Sequence, residues 1–122
     1  MRALVVDDSG VIRCILVRIL RGLGVQRIVE ASNGEEAWNT FLATPADLVL
    51  TDWHMPVMDG LELTQKIREI NAHVPIVMIS IVDTKSMIIE AVRAGVSDYV
   101  SKPFERDELE ARLDRFIAAK LI

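Results

Sequence analysis

Cysteine is nearly absent: Cys14 is the only one in 122 residues. No internal disulfide can form. Cys14 sits among isoleucines and leucines in a helical pattern, and no histidine or basic pair is arranged to activate it, so a packed or half-packed thiol is expected. Histidine is also scarce. His54 and His73 have no second His or Cys at ligand spacing, so neither ring is read as a metal ligand. There is no basic cluster, and the 14 Lys and Arg are outnumbered by 18 Asp and Glu, which argues against a nucleic-acid surface. No apolar stretch approaches the ~20 residues of a membrane span, and Met1 leads into Ala3, Leu4, Val5 and Val6 without a signal-peptide pattern. A cytoplasmic chain without membrane contact is expected. Linkers and low-complexity stretches are missing too, so residues 1–122 are read as one domain.

What is present is alternation. Hydrophobic residues make up 51% of the chain and charged residues 26%, an ordinary balance for a packed fold. Short β-branched runs at Ala3 to Val6, Arg27 to Val29, Leu48 to Thr51, Ile76 to Ser80 and Tyr99 to Ser101 predict five strands. Amphipathic segments lie between and after them. In the first, Val11, Ile12, Ile15, Leu16, Ile19, Leu20 and Leu23 recur at the spacing of one helix face, with Ser9 as a cap and Gly22 and Gly24 as the stop. Later segments carry Ala37, Trp38, Phe41 and Leu42; Leu63, Ile67 and Ile70; Met87, Ile88, Ala91 and Val92; and Leu109, Leu113, Phe116 and Ile117. Each is long enough to cross over between parallel strands, which predicts an α/β fold with helices on both faces of a parallel sheet. The runs at Arg27 and Tyr99 look like edges. An order of 2-1-3-4-5 satisfies both and puts the switch point, where ligands bind in such sheets, between the first and third strands.

Parallel strands bring their carboxyl ends to one rim. Asp7 and Asp8 follow the first run and Asp52 the third, so three acids converge there. Ser80 closes the fourth run, and Ser101, Lys102 and Pro103 the fifth. Two unit charges about 4 Å apart repel by roughly 4 kcal/mol at an effective dielectric near 20, so the cluster calls for a cation beyond Lys102. Hard oxygen ligands suit Mg²⁺, with Mn²⁺ tolerated on the same grounds. A carboxylate facing such an ion can attack phosphorus and form an acyl phosphate. Asp52, ending the central strand, is the nucleophile candidate; Asp7 and Asp8 read as the metal-holding pair. Lys102 and the Ser80 hydroxyl would contact phosphoryl oxygens. Each residue also has a plainer explanation: helix N-terminal acids, a solvated lysine, a strand-end hydroxyl, a proline after a strand. Only their joint placement points to chemistry.

The motifs "VVDDS" (5–9), "NGEEA" (33–37), "TDWHMPVMDG" (51–60), Ser80 and "AGVSDYVSKPF" (94–104) come in order along the chain. In this the sequence resembles, over its whole length, the receiver domains of two-component response regulators, of the chemotaxis (CheY-like) type. The resemblance implies a flavodoxin-like doubly wound (βα)5 fold. The order 2-1-3-4-5 is itself that of flavodoxin and the chemotaxis receiver. It implies Asp52 as phosphoacceptor, Mg²⁺ held by Asp8, Asp52 and the backbone carbonyl of His54, and Asp7 assisting through water. Lys102 and Ser80 would contact the phosphoryl group, and the Lys102–Pro103 bond would be cis. Tyr99 would be the aromatic switch coupled to Ser80. Partners would be a sensor histidine kinase or phosphotransfer protein on one side and a downstream protein or output domain on the other. The face around Ile88, Val92 and Tyr99 would be the signalling surface, although all the apolar positions of that helix could equally be core. The chain would catalyse only its own phosphorylation and dephosphorylation.

A stand-alone receiver and the receiver of a multidomain transcription factor or enzyme both stay open. Two alternatives are less well matched. A flavodoxin-like cofactor module would want a Gly-, Ser- and Thr-rich first loop, and a haloacid-dehalogenase-like phosphatase a second acid where His54 stands. One departure from the family pattern concerns the residues after Ser80, usually small or polar, where this chain has Ile81 and Val82. Slow phosphorylation by small donors and a long-lived acyl phosphate are expected from it.

Overall fold

The computed structural model describes residues 1–81 and 84–121, except for the side chains of residues 120 and 121. Five strands, β1 (Arg2–Val6), β2 (Arg27–Ala31), β3 (Leu48–Thr51), β4 (Ile76–Ser80) and β5 (Asp98–Ser101), alternate with α1 (Gly10–Gly22), α2 (Gly34–Ala43), α3 (Gly60–Ile70), α4 (Lys85–Ala94) and α5 (Arg106–Leu121). All neighbouring strands are parallel and the order is β2-β1-β3-β4-β5, as the pattern of runs predicts.

Side chains alternate across the sheet, and this divides the core in two. Leu4, Val6, Val49, Ile76 and Met78 meet Ala37, Phe41, Leu63, Ile67 and Ala91 of α2, α3 and α4. On the other face Ala3, Val5, Leu48, Leu50, Val77 and Ile79 meet Leu16, Ile19 and Leu20 of α1 and Leu109, Leu113 and Ile117 of α5. The central strands β1, β3 and β4 are apolar along nearly their whole length because both of their faces are covered.

Several helical residues read as core are not. Val11 is 71% exposed and Ile15 40%, while Leu42 and Ile70 are also exposed. Cys14 is exposed as well, correcting the expected packed thiol. Helical spacing fixes which residues share a stripe, but not how far across the stripe the neighbouring sheet reaches.

Side-chain caps start three helices: Ser9 accepts from the Ile12 N–H, Asn33 from Glu36 and Asp59 from Glu62. α4 is held more lightly. Its N-cap, Thr84, makes no side-chain cap bond, and Ala91 is its one buried residue. At the other end Gly95 takes φ +112°, and Arg68 donates from Nε to the Gly95 carbonyl at 2.8 Å and from Nη1 to that of Asn71 at 3.1 Å. Burial lowers the pKa of this guanidinium from its usual value. It still carries its charge at any ordinary pH.

Candidate functional site

The rim formed by the strand ends gathers residues from every part of the chain. Asp7, just past β1, is buried at 1% exposure, and Asp8 beside it is exposed. Asp52, just past β3, keeps 12% of its side chain in contact with solvent. Carboxylate oxygens of all three lie within 4.8 Å of one another. Backbone bonds set their positions. The Asp7 N–H donates to Ala31 O at 3.2 Å and the Asp52 N–H to Val6 O at 2.9 Å, so each acid is locked to the end of a neighbouring strand.

Lys102 joins two of the acids. Its Nζ lies 2.8 Å from Asp7 Oδ2 and 3.2 Å from Asp52 Oδ2, with 13% of the side chain exposed. The second oxygens are held by main chain, Asp7 Oδ1 by the Ser9 N–H at 2.9 Å and Asp52 Oδ1 by the Trp53 N–H at 2.7 Å. Ser80 is fully buried at the end of β4, and its carbonyl accepts from the Lys102 N–H at 2.8 Å. The Lys102–Pro103 bond is cis, as the resemblance implied.

Arg13 is a member of this region that sequence reasoning missed. From α1 its Nη1 donates to the Asp7 carbonyl, and its Nε pairs with Glu30 of β2 at 3.1 Å. The cue available was only an arginine one turn into the helix that follows two acids. Gly60 was quoted within a motif, but its reason is geometric. A Cβ there would overlap the Asp52 carbonyl oxygen, which also accepts from Thr51 Oγ1 at 2.8 Å. Gly34 is similar, since its N–H donates to Met58 O at 2.9 Å and a Cβ would overlap that oxygen. Between these glycines the β3–α3 loop places Val57 at φ +71°, a conformation that costs a β-branched residue of order 1–3 kcal/mol.

The other predicted residues fall into two places. His54 is exposed, its ring stacked on Trp53 with centroids 5.9 Å apart. Tyr99 lies away from the acids. It is half-buried with its hydroxyl enclosed, and it lines a cavity of about 510 Å³ with Ile88, Val92, Glu108 and Arg112. Arg112 Nη1 ties α5 to this edge through Asp98 Oδ1 and the Tyr99 carbonyl, both at 2.9 Å. The apolar positions of α4 are therefore divided: Ala91 is buried, Met87 and Ile88 half-buried, Ile89 and Val92 exposed. Ile81 is described and exposed, whereas Val82 lies outside the described residues.

Opposing effects act on the Lys102 ammonium. Desolvation is the largest and lowers its pKa; the hydrogen bond to Asp7, the charges of Asp52 and Asp7, and the bond to Asp52 together outweigh it and raise the value above that of an ordinary lysine. A group that holds its proton more tightly when folded stabilises the fold below its unfolded pKa, and the contribution disappears as pH climbs through the folded value. In metal-free buffer, the parent should therefore be more stable than Lys102→Met at neutral pH. Urea denaturation should show that difference shrinking once pH passes the ordinary lysine range. A difference that grew with pH would contradict this sign.

The donor set is all oxygen with no thiolate or imidazole, and it remains net negative after Lys102 is counted, which fits a hard divalent cation such as Mg²⁺. Among the described residues no helix is long and apolar enough to cross a membrane.

Comparison with known proteins agrees with this geometry. The family model for the response regulator receiver domain matches residues 3–114. The chemotaxis protein CheY1 of Helicobacter pylori strain J99 is 42% identical over 117 residues, covering 93% of this chain and 94% of that protein. A CheY homolog of Campylobacter jejuni is 38% identical, covering 93% and 90%. The receiver domain of the Francisella response regulator 1452 superposes with a TM-score of 0.88 at 29% identity, covering 98% of each chain. With its acids, lysine and buried serine at the strand ends of a 2-1-3-4-5 sheet, the chain belongs to the response regulator receiver domains, the phosphorylation-activated switches of two-component signalling.

Proposed function

We propose that residues 1–122 act as a chemotaxis-type receiver in the cytoplasm, taking a phosphoryl group onto Asp52 from a phosphohistidine on a sensor kinase or phosphotransfer protein. The observation that carries this is Lys102 Nζ set between carboxylates from two different strand ends, within hydrogen-bond distance of both. Relatives named as chemotaxis proteins and matched nearly end to end support the class of pathway.

In the transfer, an Asp52 carboxylate oxygen forms a bond to phosphorus as the bond from phosphorus to the donor nitrogen breaks, the electron pair returning to the imidazole. The Trp53 N–H fixes the second Asp52 oxygen and so orients the carboxylate. Lys102 stays protonated and follows the charge, moving from carboxylate to a phosphoryl oxygen, and the Ser80 hydroxyl donates to another. Asp8, Asp52 and the His54 carbonyl would hold Mg²⁺, with Asp7 assisting through water, and the bound ion would supply neutralising charge for the phosphoryl group. Self-dephosphorylation reverses the roles, with water attacking phosphorus and Asp52 leaving. The face bearing Ile88, Val92 and Tyr99 then serves the downstream partner.

Incubation with Mg²⁺ and acetyl phosphate should add one phosphoryl group, labile to base and to hydroxylamine as an acyl phosphate is. Mass spectrometry should place it on Asp52. A group found on serine or histidine would sink the assignment.

A further inference from the structure

Arg13 stands close to the start of α1, where the helix dipole disfavours a cation. The helix carries no acid of its own to pair with it. Its partners are tertiary. Nη1 donates to the Asp7 carbonyl and Nε pairs with Glu30 Oε1 of β2 at 3.1 Å, with 21% of the arginine side chain exposed. One planar guanidinium, its donors set in fixed directions, thus ties the chain just past β1 to the end of β2. It does so beside the main-chain bond from the Asp7 N–H to Ala31 O.

The residue that this tie affects most is Asp8. Asp7 is held at every polar group: its N–H donates to Ala31 O, its Oδ1 accepts from the Ser9 N–H, its Oδ2 from Lys102 and its carbonyl from Arg13. Asp8 is exposed, and among the described residues no hydrogen bond or ion pair holds its carboxylate. Its place within 4.8 Å of the other two acids is therefore inherited from the main chain on either side. The Asp7–Asp8 peptide is planar, so its carbonyl oxygen and the Asp8 Cα turn together. A donor on that oxygen fixes both. The following peptide is fixed by the Ser9 N–H on Asp7 Oδ1. Arg13 thus supplies one of the two hydrogen bonds that set the direction of the Asp8 side chain.

Resting on the reading of Asp8 as a direct Mg²⁺ ligand, we infer that Arg13 is a positioning residue for the metal site. It holds the Asp7–Asp8 peptide so that the Asp8 carboxylate is presented to the ion without rearrangement, and Glu30 in turn holds Arg13. Charge alone predicts the reverse. A guanidinium beside an acid cluster repels a divalent cation, so if its field were what counted, removing it would tighten Mg²⁺ binding. Loss of a group that orients a metal ligand weakens binding instead, by about 10–100-fold in metal sites generally. The two effects differ in sign, and the Glu30 carboxylate offsets part of the field of Arg13.

The test measures Mg²⁺ dissociation constants by calorimetry, and backbone amide order parameters by NMR in metal-free buffer, for the parent, Arg13→Met, Arg13→Lys and Arg18→Met. Arg18 is an exposed arginine of the same helix, so its removal changes the net charge equally. Arg13→Met should raise the dissociation constant about tenfold and lower the Asp8 order parameter from the rigid range of ~0.85. Arg13→Lys keeps the charge but offers a single nitrogen for two directions, so it should fall between the parent and Arg13→Met. It also carries the test should Arg13→Met fail to fold. Arg18→Met should match the parent or bind Mg²⁺ slightly more tightly. A dissociation constant unchanged or lowered in Arg13→Met overturns the inference, as does an Asp8 order parameter that stays at the parent's value. A parent that bound no Mg²⁺ would instead remove the reading of Asp8 as a ligand, and the inference with it, whatever the order parameters show.

Discussion

Asp52→Asn is expected to abolish phosphoryl uptake and, in metal-free buffer, to make the protein more stable than the parent. The first effect follows from chemistry: the amide offers no carboxylate oxygen to form the acyl phosphate. The second follows from electrostatics. Three carboxylates lie within 4.8 Å of one another, and Lys102 touches two of them. Neutralising Asp52 removes its repulsion with both Asp7 and Asp8 and gives up one attraction, to Lys102, which keeps its shorter contact with Asp7. The net relief is roughly that of one like-charge pair, about 1–3 kcal/mol after screening of the exposed Asp8. Urea denaturation without metal reads the stability, and mass spectrometry after acetyl phosphate treatment reads the adduct. A destabilised variant would show that Asp52 contributes more through its bonds to Lys102 and the Trp53 N–H than it costs by repulsion.

Gly60→Ala should be destabilising by about 2 kcal/mol or more, the opposite of what helix propensity suggests. In an ordinary helical position the change gains up to about 1 kcal/mol. Here the added methyl would overlap the Asp52 carbonyl oxygen and press on Thr51 Oγ1, and the obstacle is backbone, which cannot rotate away. To make room, α3 must retreat from the end of β3, breaking the 2.7 Å bond from the Gly60 N–H to Trp53 O and shifting Asp52 with it. Gly22→Ala is the control, since the nearest atom to its added methyl is the Arg106 guanidinium at 4.0 Å. It should be neutral or stabilising. If the two substitutions gave equal urea midpoints, the close approach at Gly60 would carry no energetic weight.

The strands and their order were legible because a parallel sheet covered on both faces demands short apolar runs separated by amphipathic ones, and this chain keeps that alternation throughout. The site was legible for a related reason. Asp7, Asp8, Asp52, Ser80 and Lys102 all lie at run ends, and topology alone collects run ends on one rim. Other features depend on distances between elements, to which a linear pattern is blind. Val11 and Ile15 have the spacing of core residues but remain exposed. Cys14 has apolar neighbours in sequence and solvent around it in space. Arg13, Arg68 and Arg112 carry no distinct cue in the linear pattern, yet each donates to a backbone carbonyl outside its own helix. The motif containing Gly60 was readable, but its physical reason needed the position of the Asp52 oxygen.

The rim also couples ligand occupancy to the melting of the whole molecule. Asp7, Asp52 and Lys102 are separated by dozens of residues and meet only when β1, β3 and β5 are in register, so the unfolded chain offers no equivalent site. A cation held reversibly at the rim would then be bound by the native state alone, and mass action would add RT ln(1 + [L]/Kd) to the unfolding free energy, about 2.7 kcal/mol at a hundredfold excess over Kd. The parallel sheet thus ties cation binding at the rim to global stability, and chelation should register as a lower melting temperature even where no contact in the core has changed.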